Sequence, residues 1–215
     1  MSTTDDVAVR TSAPLTEKAR TTRAALVESA SALFIEQGYG AVTVRDLARR
    51  TQVTSGAIYG HFRNKADLLV AAIAQHITED LYLPPNGRTG LRDYMQRQWR
   101  SYRSRAGLRA LLVEGAAAAR VDPDIRRQLN ELQSAKLDEW KAIYHQIQEN
   151  EGLDPAVDMD SVLIMLWATE LGLGVLESWD VELPKPGTWA RLVDRILGSL
   201  EAPDPGAPDD EAASR

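Results

Sequence analysis

Twice in the first third of the chain the same helix-opening phrase occurs: Val42-Thr43 followed by Asp46 and Leu47, then Val53-Thr54 followed by Ile58. A threonine at the N-cap accepts a hydrogen bond from a first-turn amide, and an apolar residue just before it packs on the side chain at the fourth helical position. The first copy adds Asp46 as capping-box partner. Each phrase fixes where a helix begins, so the intervening "RDLARRTQ" leaves room for about two helical turns. Two short helices joined so tightly must cross steeply, as in a helix-turn-helix, and in DNA-binding versions the second helix enters the major groove.

The rest of the pattern is helical too, with no run of alternating β-branched residues between hairpin turns. Leu26, Ala30, Leu33 and Phe34 form one stripe of a first helix, which Gly38 ends. Asn64 caps a fourth helix with Asp67 as its reciprocal carboxylate, and Pro84 and Pro85 stop it. Further on, Asp122 caps a long helix with Pro123 at its first position, and Asp154 and Pro155 repeat the device for a helix running from about Pro155 to Ser178. The expected fold is all-α: an N-terminal three-helix helix-turn-helix module plus a larger helical domain for ligand binding and dimerisation. The boundaries expected are a disordered arm over 1–15, the module over 16–83 with its motif at about 43–62, the second domain over 86–200, and a disordered acidic tail over 201–215.

Composition narrows the function classes. With 215 residues, 44% apolar and 26% charged, the chain reads as an ordinary soluble protein. The absence of cysteine excludes a disulfide scaffold, a thiolate nucleophile and a cysteine-ligated metal. The three histidines fall in separate helices, with no His-x-x-x-His, Gly-x-Ser-x-Gly or glycine-rich phosphate loop. No enzyme, metal or cofactor is expected. No secretory signal is visible at the start, and "VLIMLWATELGLGVL" is broken by Glu170 and expected to be too short to span a bilayer, so the expected location is the cytoplasm, with no membrane partner. The net charge of −6 hides a segregation: between Thr16 and Lys65, Lys18, Arg20, Arg23, Arg45, Arg49, Arg50, Arg63 and Lys65 oppose only Glu17, Glu28, Glu36 and Asp46.

At about 100° per residue, setting Ile58 toward the core brings Thr54 and Phe62 to the same side and puts Gly56 and Gly60 nearly opposite. The outward line of this helix is then bare backbone, which lets its axis approach base edges closely at a cost of about 1 kcal/mol of helix propensity per glycine. The competing reading makes Gly60 a left-handed C-cap.

The stretch "ALVESASALFIEQGYGAVTVRDLARRTQVTSGAIYGHFRNKADLLVAAI" resembles the N-terminal module of the tetracycline-repressor (TetR) family of bacterial transcription regulators, over about Arg20 to Asp80. The resemblance implies a sequence-specific DNA-binding regulator, a repressor released by a small-molecule effector. It implies phosphate contacts from Thr43, Thr54, Tyr59, His61 and Lys65, and base contacts from Arg45, Ser55 and Ala57 beside Gly56 and Gly60. For Tyr59 and His61, packing in the core is the alternative. The resemblance also implies a homodimer through the last two helices, and hence double-stranded DNA with a near-palindromic operator as partner.

In the second domain, Leu91, Tyr94, Met95, Trp99 and Tyr102 share a stripe. Candidate ligand-binding residues are Met95, Trp99, Tyr102, Arg103, Glu114, Trp140, Tyr144, Trp167 and Glu170; plain core packing is the alternative for each. Glu114 and Glu170 need partners, and Arg103 or Arg120 would serve. Candidate dimer contacts are Leu171, Val175, Trp189, Leu192, Val193, Ile196, Leu197 and Leu200, with Gly172 and Gly174 allowing close helix approach. A dimeric DNA-binding protein with no effector is the alternative function.

Overall fold

The structure is a computed structural model that describes residues 17–80, 91–151 and 153–199. The expected arm and tail, the Pro84-Pro85 stop and Leu200 lie outside the described residues. Within them the chain forms α1 (Glu17–Gln37), α2 (Val44–Thr51), α3 (Ser55–Tyr59), α4 (Lys65–Asp80), α5 (Leu91–Arg100), a 3-10 turn at Tyr102–Arg105, α6 (Ala106–Val121), α7 (Pro123–Glu151), α8 (Met159–Ser178) and α9 (Pro186–Gly198). The fold is all-α, with the helix-turn-helix module first and a larger helical layer after it.

The caps act where the sequence places them. Thr43 Oγ1 accepts from the Asp46 amide at 3.3 Å while the Thr43 amide donates to Asp46 Oδ2 at 2.9 Å, closing the capping box. Thr54 Oγ1 accepts from the Ala57 amide at 3.1 Å. Gly38 ends α1 at φ +79°, the left-handed region that favours glycine. Asn64 Oδ1 accepts from the Asp67 amide at 2.9 Å, but the Asp67 carboxylate reaches one residue further back than expected, accepting from the Arg63 amide at 3.1 Å. Asp122 caps α7 by accepting from the Asp124 amide at 2.9 Å.

The expected start of α8 is corrected. Asp154 and Pro155 belong to a turn, in which Asp154 Oδ1 accepts from the Ala156 amide at 2.8 Å. The helix begins at Met159 behind Asp158, whose carboxylate accepts from the Asp160 amide at 3.2 Å. The expectation about its length is corrected as well: at 20 residues, α8 is long and apolar enough to cross a membrane by length and composition. It packs instead against α6 and α7.

α4 ties the two layers together, since it packs on α1 in the module and on α6 and α7 beyond it. A single apolar core runs from Leu26 and Phe34 through Ile73 and Leu111 to Leu197. Gly115 brings α6 and α4 close: a β-carbon there would meet Ile73 Cδ1 at 2.8 Å. Gly174 does the same for α8 against the Arg109 carbonyl, whereas Gly172 faces open space.

Candidate nucleic-acid interface

Gln52, at φ +56°, turns the chain sharply at the end of α2, and Thr54 restarts it two residues later. α3 then buries Ile58, and Phe62 just beyond it, in the module core. Gly56, Ala57, Tyr59 and Gly60 are exposed, with Tyr59 at 55%, while Ser55 and His61 are half-buried. Gly60 has φ −68° and ψ −22°, so the left-handed-cap reading is set aside. A β-carbon at Gly56 would meet only Thr54 Oγ1, at 3.8 Å, so that surface is open.

Hydrogen bonding separates the two threonines. The Thr43 hydroxyl donates to Asp46 Oδ2 at 2.6 Å and its amide donates to the same oxygen, so both of its donors serve the cap. Those bonds, with Arg49 alongside, hold the Asp46 carboxyl below its ordinary range. Thr54 uses its oxygen as an acceptor in the cap, which leaves the hydroxyl hydrogen to donate outward.

The basic cluster is partly neutralised locally. Arg49 pairs with Asp46 at 2.8 Å, Arg50 with Glu36 at 2.7 Å, and Arg63 with Asp67 at 2.9 Å. Lys65 Nζ donates to the carbonyls of Tyr39 at 2.7 Å and Val42 at 2.9 Å, leaving one of its three donors, and burial pushes its pKa down. Arg45 stands exposed and outside any ion pair among the described residues. Arg23 lies 4.9 Å over the Phe62 ring, which brings a cation from α1 to the turn that follows α3. Sequence reasoning counted Arg23 only in the charge total, because nothing in local spacing joins it to Phe62.

In the second layer a cavity of about 280 Å³ opens between α4, α6, α7 and α8, walled by Ile73, Ile77, Leu112, Leu129, Trp167 and Leu171 with Asn130 and Gln133 among its polar groups. Of the expected ligand residues it takes only Trp167. Met95, Trp99, Tyr102, Trp140 and Tyr144 are buried core side chains: Trp99 packs on Trp189 with ring centroids 5.4 Å apart, and the Tyr102 hydroxyl donates to the Pro184 carbonyl at 2.5 Å. Glu114 accepts from the Tyr39 amide at 2.8 Å. Arg103 and Arg120 are exposed, and the partners of Glu170 are Arg105, at 2.5 Å, and Arg109, at 3.4 Å. Arg105 and Arg109, four residues apart, share the inward side, while Arg103 lies off it.

The α9 stripe divides. Val193 and Leu197 are buried and Trp189 half-buried as α9 packs on α5 of the same chain, while Leu192 and Ile196 stay exposed at 49% and 42%. On α8, Leu171 lines the cavity, while Ile164, Met165, Val175 and Leu176 face outward.

Residues 16–72 match the family described as "Bacterial regulatory proteins, tetR family". The chain is 43% identical over 65 residues to the HTH-type transcriptional regulator TtgR of Pseudomonas putida, covering 30% of this chain and 31% of that one. It is 41% identical over 54 residues to the HTH-type transcriptional repressor Rv3405c of Mycobacterium tuberculosis, covering 25% of this chain and 28% of that one. These matches thus span about a third of the relatives' length. The fold is similar to that of NalD of Pseudomonas aeruginosa, described as the secondary repressor of a multidrug efflux pump, with a TM-score of 0.63, 25% identity, and coverage of 88% of this chain and 100% of that one.

Proposed function

We propose that this chain, a member of the TetR family of bacterial regulators, is a cytoplasmic dimeric repressor that grips a near-palindromic operator and leaves it when a small lipophilic molecule enters the cavity beside α4. The observation that carries this reading is the outward line of α3: Gly56, Ala57, Tyr59 and Gly60 exposed, on a helix whose opposite side is sealed by Ile58 and Phe62. The bare backbone of Gly56 and Gly60, flanked by Ala57 and Tyr59, admits the helix axis close to base edges, and the Ala57 methyl suits a thymine methyl. Arg45 reaches bases from α2, while the Thr54 hydroxyl, Tyr59, His61, Arg23 and the last Lys65 donor take phosphates on either side. Thr43 acts through the cap that holds α2.

Release follows from α4. The helix begins at Lys65 beside the reading helix and contributes Ile73 and Ile77 to the cavity wall. An occupant that displaces α4 tilts the module of each protomer, and two recognition helices that must sit roughly 34 Å apart lose their spacing. The cleft between α4, α6, α7 and α8 is where an effector would enter, its apolar walls bordered by Arg126, Asn130 and Gln133; an effector-independent regulator is the alternative. The similar proteins Rv3405c and NalD are named as repressors, which supports the same sense of control.

Selection from a random-sequence duplex pool tests the reading. A near-palindromic consensus is expected, with affinity falling steeply as salt rises because several phosphates are neutralised. Failure to enrich any duplex, or affinity indifferent to salt, overturns it.

A further inference from the structure

We propose that Glu114 is a positioning residue for DNA recognition, holding the turn between α1 and α2, and through it the two reading helices, in register with α6. This inference rests on the DNA-binding reading above. Tyr39 is gripped at both ends of its main chain: its amide donates to Glu114 Oε2 at 2.8 Å, and its carbonyl accepts from Lys65 Nζ at 2.7 Å. The same ammonium takes the Val42 carbonyl at 2.9 Å and lies 4.1 Å over the Tyr39 ring. Gly38 makes the approach possible, since its φ of +79° directs the turn and a β-carbon there would crowd Glu114 Oε1 at 3.2 Å.

The acid comes from α6 and the base from α4, and both helices wall the cavity, through Leu112, Ala116 and Ala119 on one side and Ile73 and Ile77 on the other. A change in the separation of α4 and α6 is therefore felt at the amide and the carbonyl of one residue. The turn runs directly into Thr43, the cap of α2, so the reading helices inherit that change. Glu114 does this without touching DNA.

The test compares wild type, Glu114→Ala and Glu114→Gln as full chains, by amide hydrogen exchange and by affinity for the duplex that wild type selects. Glu114→Ala is expected to speed exchange across residues 39–47 by about tenfold or more, with α7 and α9 unchanged, and to weaken the duplex by about tenfold at an unchanged melting temperature. Glu114→Gln keeps a carbonyl acceptor and is expected to restore most of both. If the alanine variant does not fold, Glu114→Asp, which keeps the charge but withdraws by one methylene, gives the same readout. Wild-type exchange over 39–47 in the alanine variant, protection lost throughout the chain, or a glutamine variant no better than alanine overturns the proposal. A wild type that selects no duplex removes the DNA-binding reading while leaving the exchange result to judge the turn.

Discussion

In the proposed function the glycines on the outward line of α3, which add nothing to the stability of that helix, keep its surface open to the bases. Gly56 has no positive φ, and a β-carbon there would find only Thr54 Oγ1 at 3.8 Å. Gly56→Ala is therefore expected to raise the urea midpoint, by up to about 1 kcal/mol of stability. Gly56→Leu is expected to fold as well as wild type yet lose about tenfold or more in affinity for the selected duplex, about 1.4 kcal/mol, because its side chain stands between the helix and the bases. A leucine variant that binds in proportion to its folded fraction would sink the close-approach account. Gly60 offers less, since a β-carbon there meets the Ala57 carbonyl at 3.2 Å. The caps at Thr43 and Thr54 were legible in the sequence because a cap and its amide lie within three residues. The role of Lys65 was not, because its acceptors, Tyr39 and Val42, come from a turn more than twenty residues earlier.

Among the elements, α8 was the hardest to read, for a physical reason. A helix apolar nearly all round has no phase, so the sequence signals burial on several sides without saying which side meets what. Trp167 and Leu171 wall the cavity, Ile164 and Met165 face out, and Glu170 and Glu177 turn to α6. There Arg109, fully buried, is shared between Glu170 and Glu177, and Arg105 closes on Glu170. The need for a partner to Glu170 was legible, but its identity was not, because Arg105 and Arg109 lie more than sixty residues earlier in the chain and nothing in local spacing joins them to it. Removing one member of such a cluster leaves buried charge uncompensated. Glu170→Ala is expected to cost about 3–5 kcal/mol in urea melts, with Glu170→Gln costing less because it still accepts from Arg105. A loss below about 1 kcal/mol for the alanine variant would mean that water reaches the two guanidinium groups and that the cluster does not fix α6 to α8.

At the scale of the whole molecule, the proposed repressor has one recognition helix per copy of the chain and takes the second from a two-fold related copy. The surfaces left for it are the outward side chains Ile164, Met165, Val175 and Leu176 on α8 and Leu192 and Ile196 on α9. In the proposed isologous interface each copy offers these exposed apolar side chains of α8 and α9. The exposed glycine at 172 has nothing near a would-be β-carbon, so a second α8 can approach closely there. The choice of position decides what a substitution tests. Val193 and Leu197 lie inside the protomer against α5, so a charge there unfolds the domain, whereas a charge at half-exposed Ile196 leaves the fold and opposes only the partner. Ile196→Asp is therefore expected to give helical monomers by light scattering and circular dichroism. Because the second half-site is then no longer met as an intramolecular event, affinity for the full palindrome is expected to fall by about a hundredfold or more, toward that for a single half-site. A monodisperse dimer of the variant at the same concentration would move the interface away from α9, and a monomer that keeps wild-type affinity would remove symmetry from the recognition mechanism.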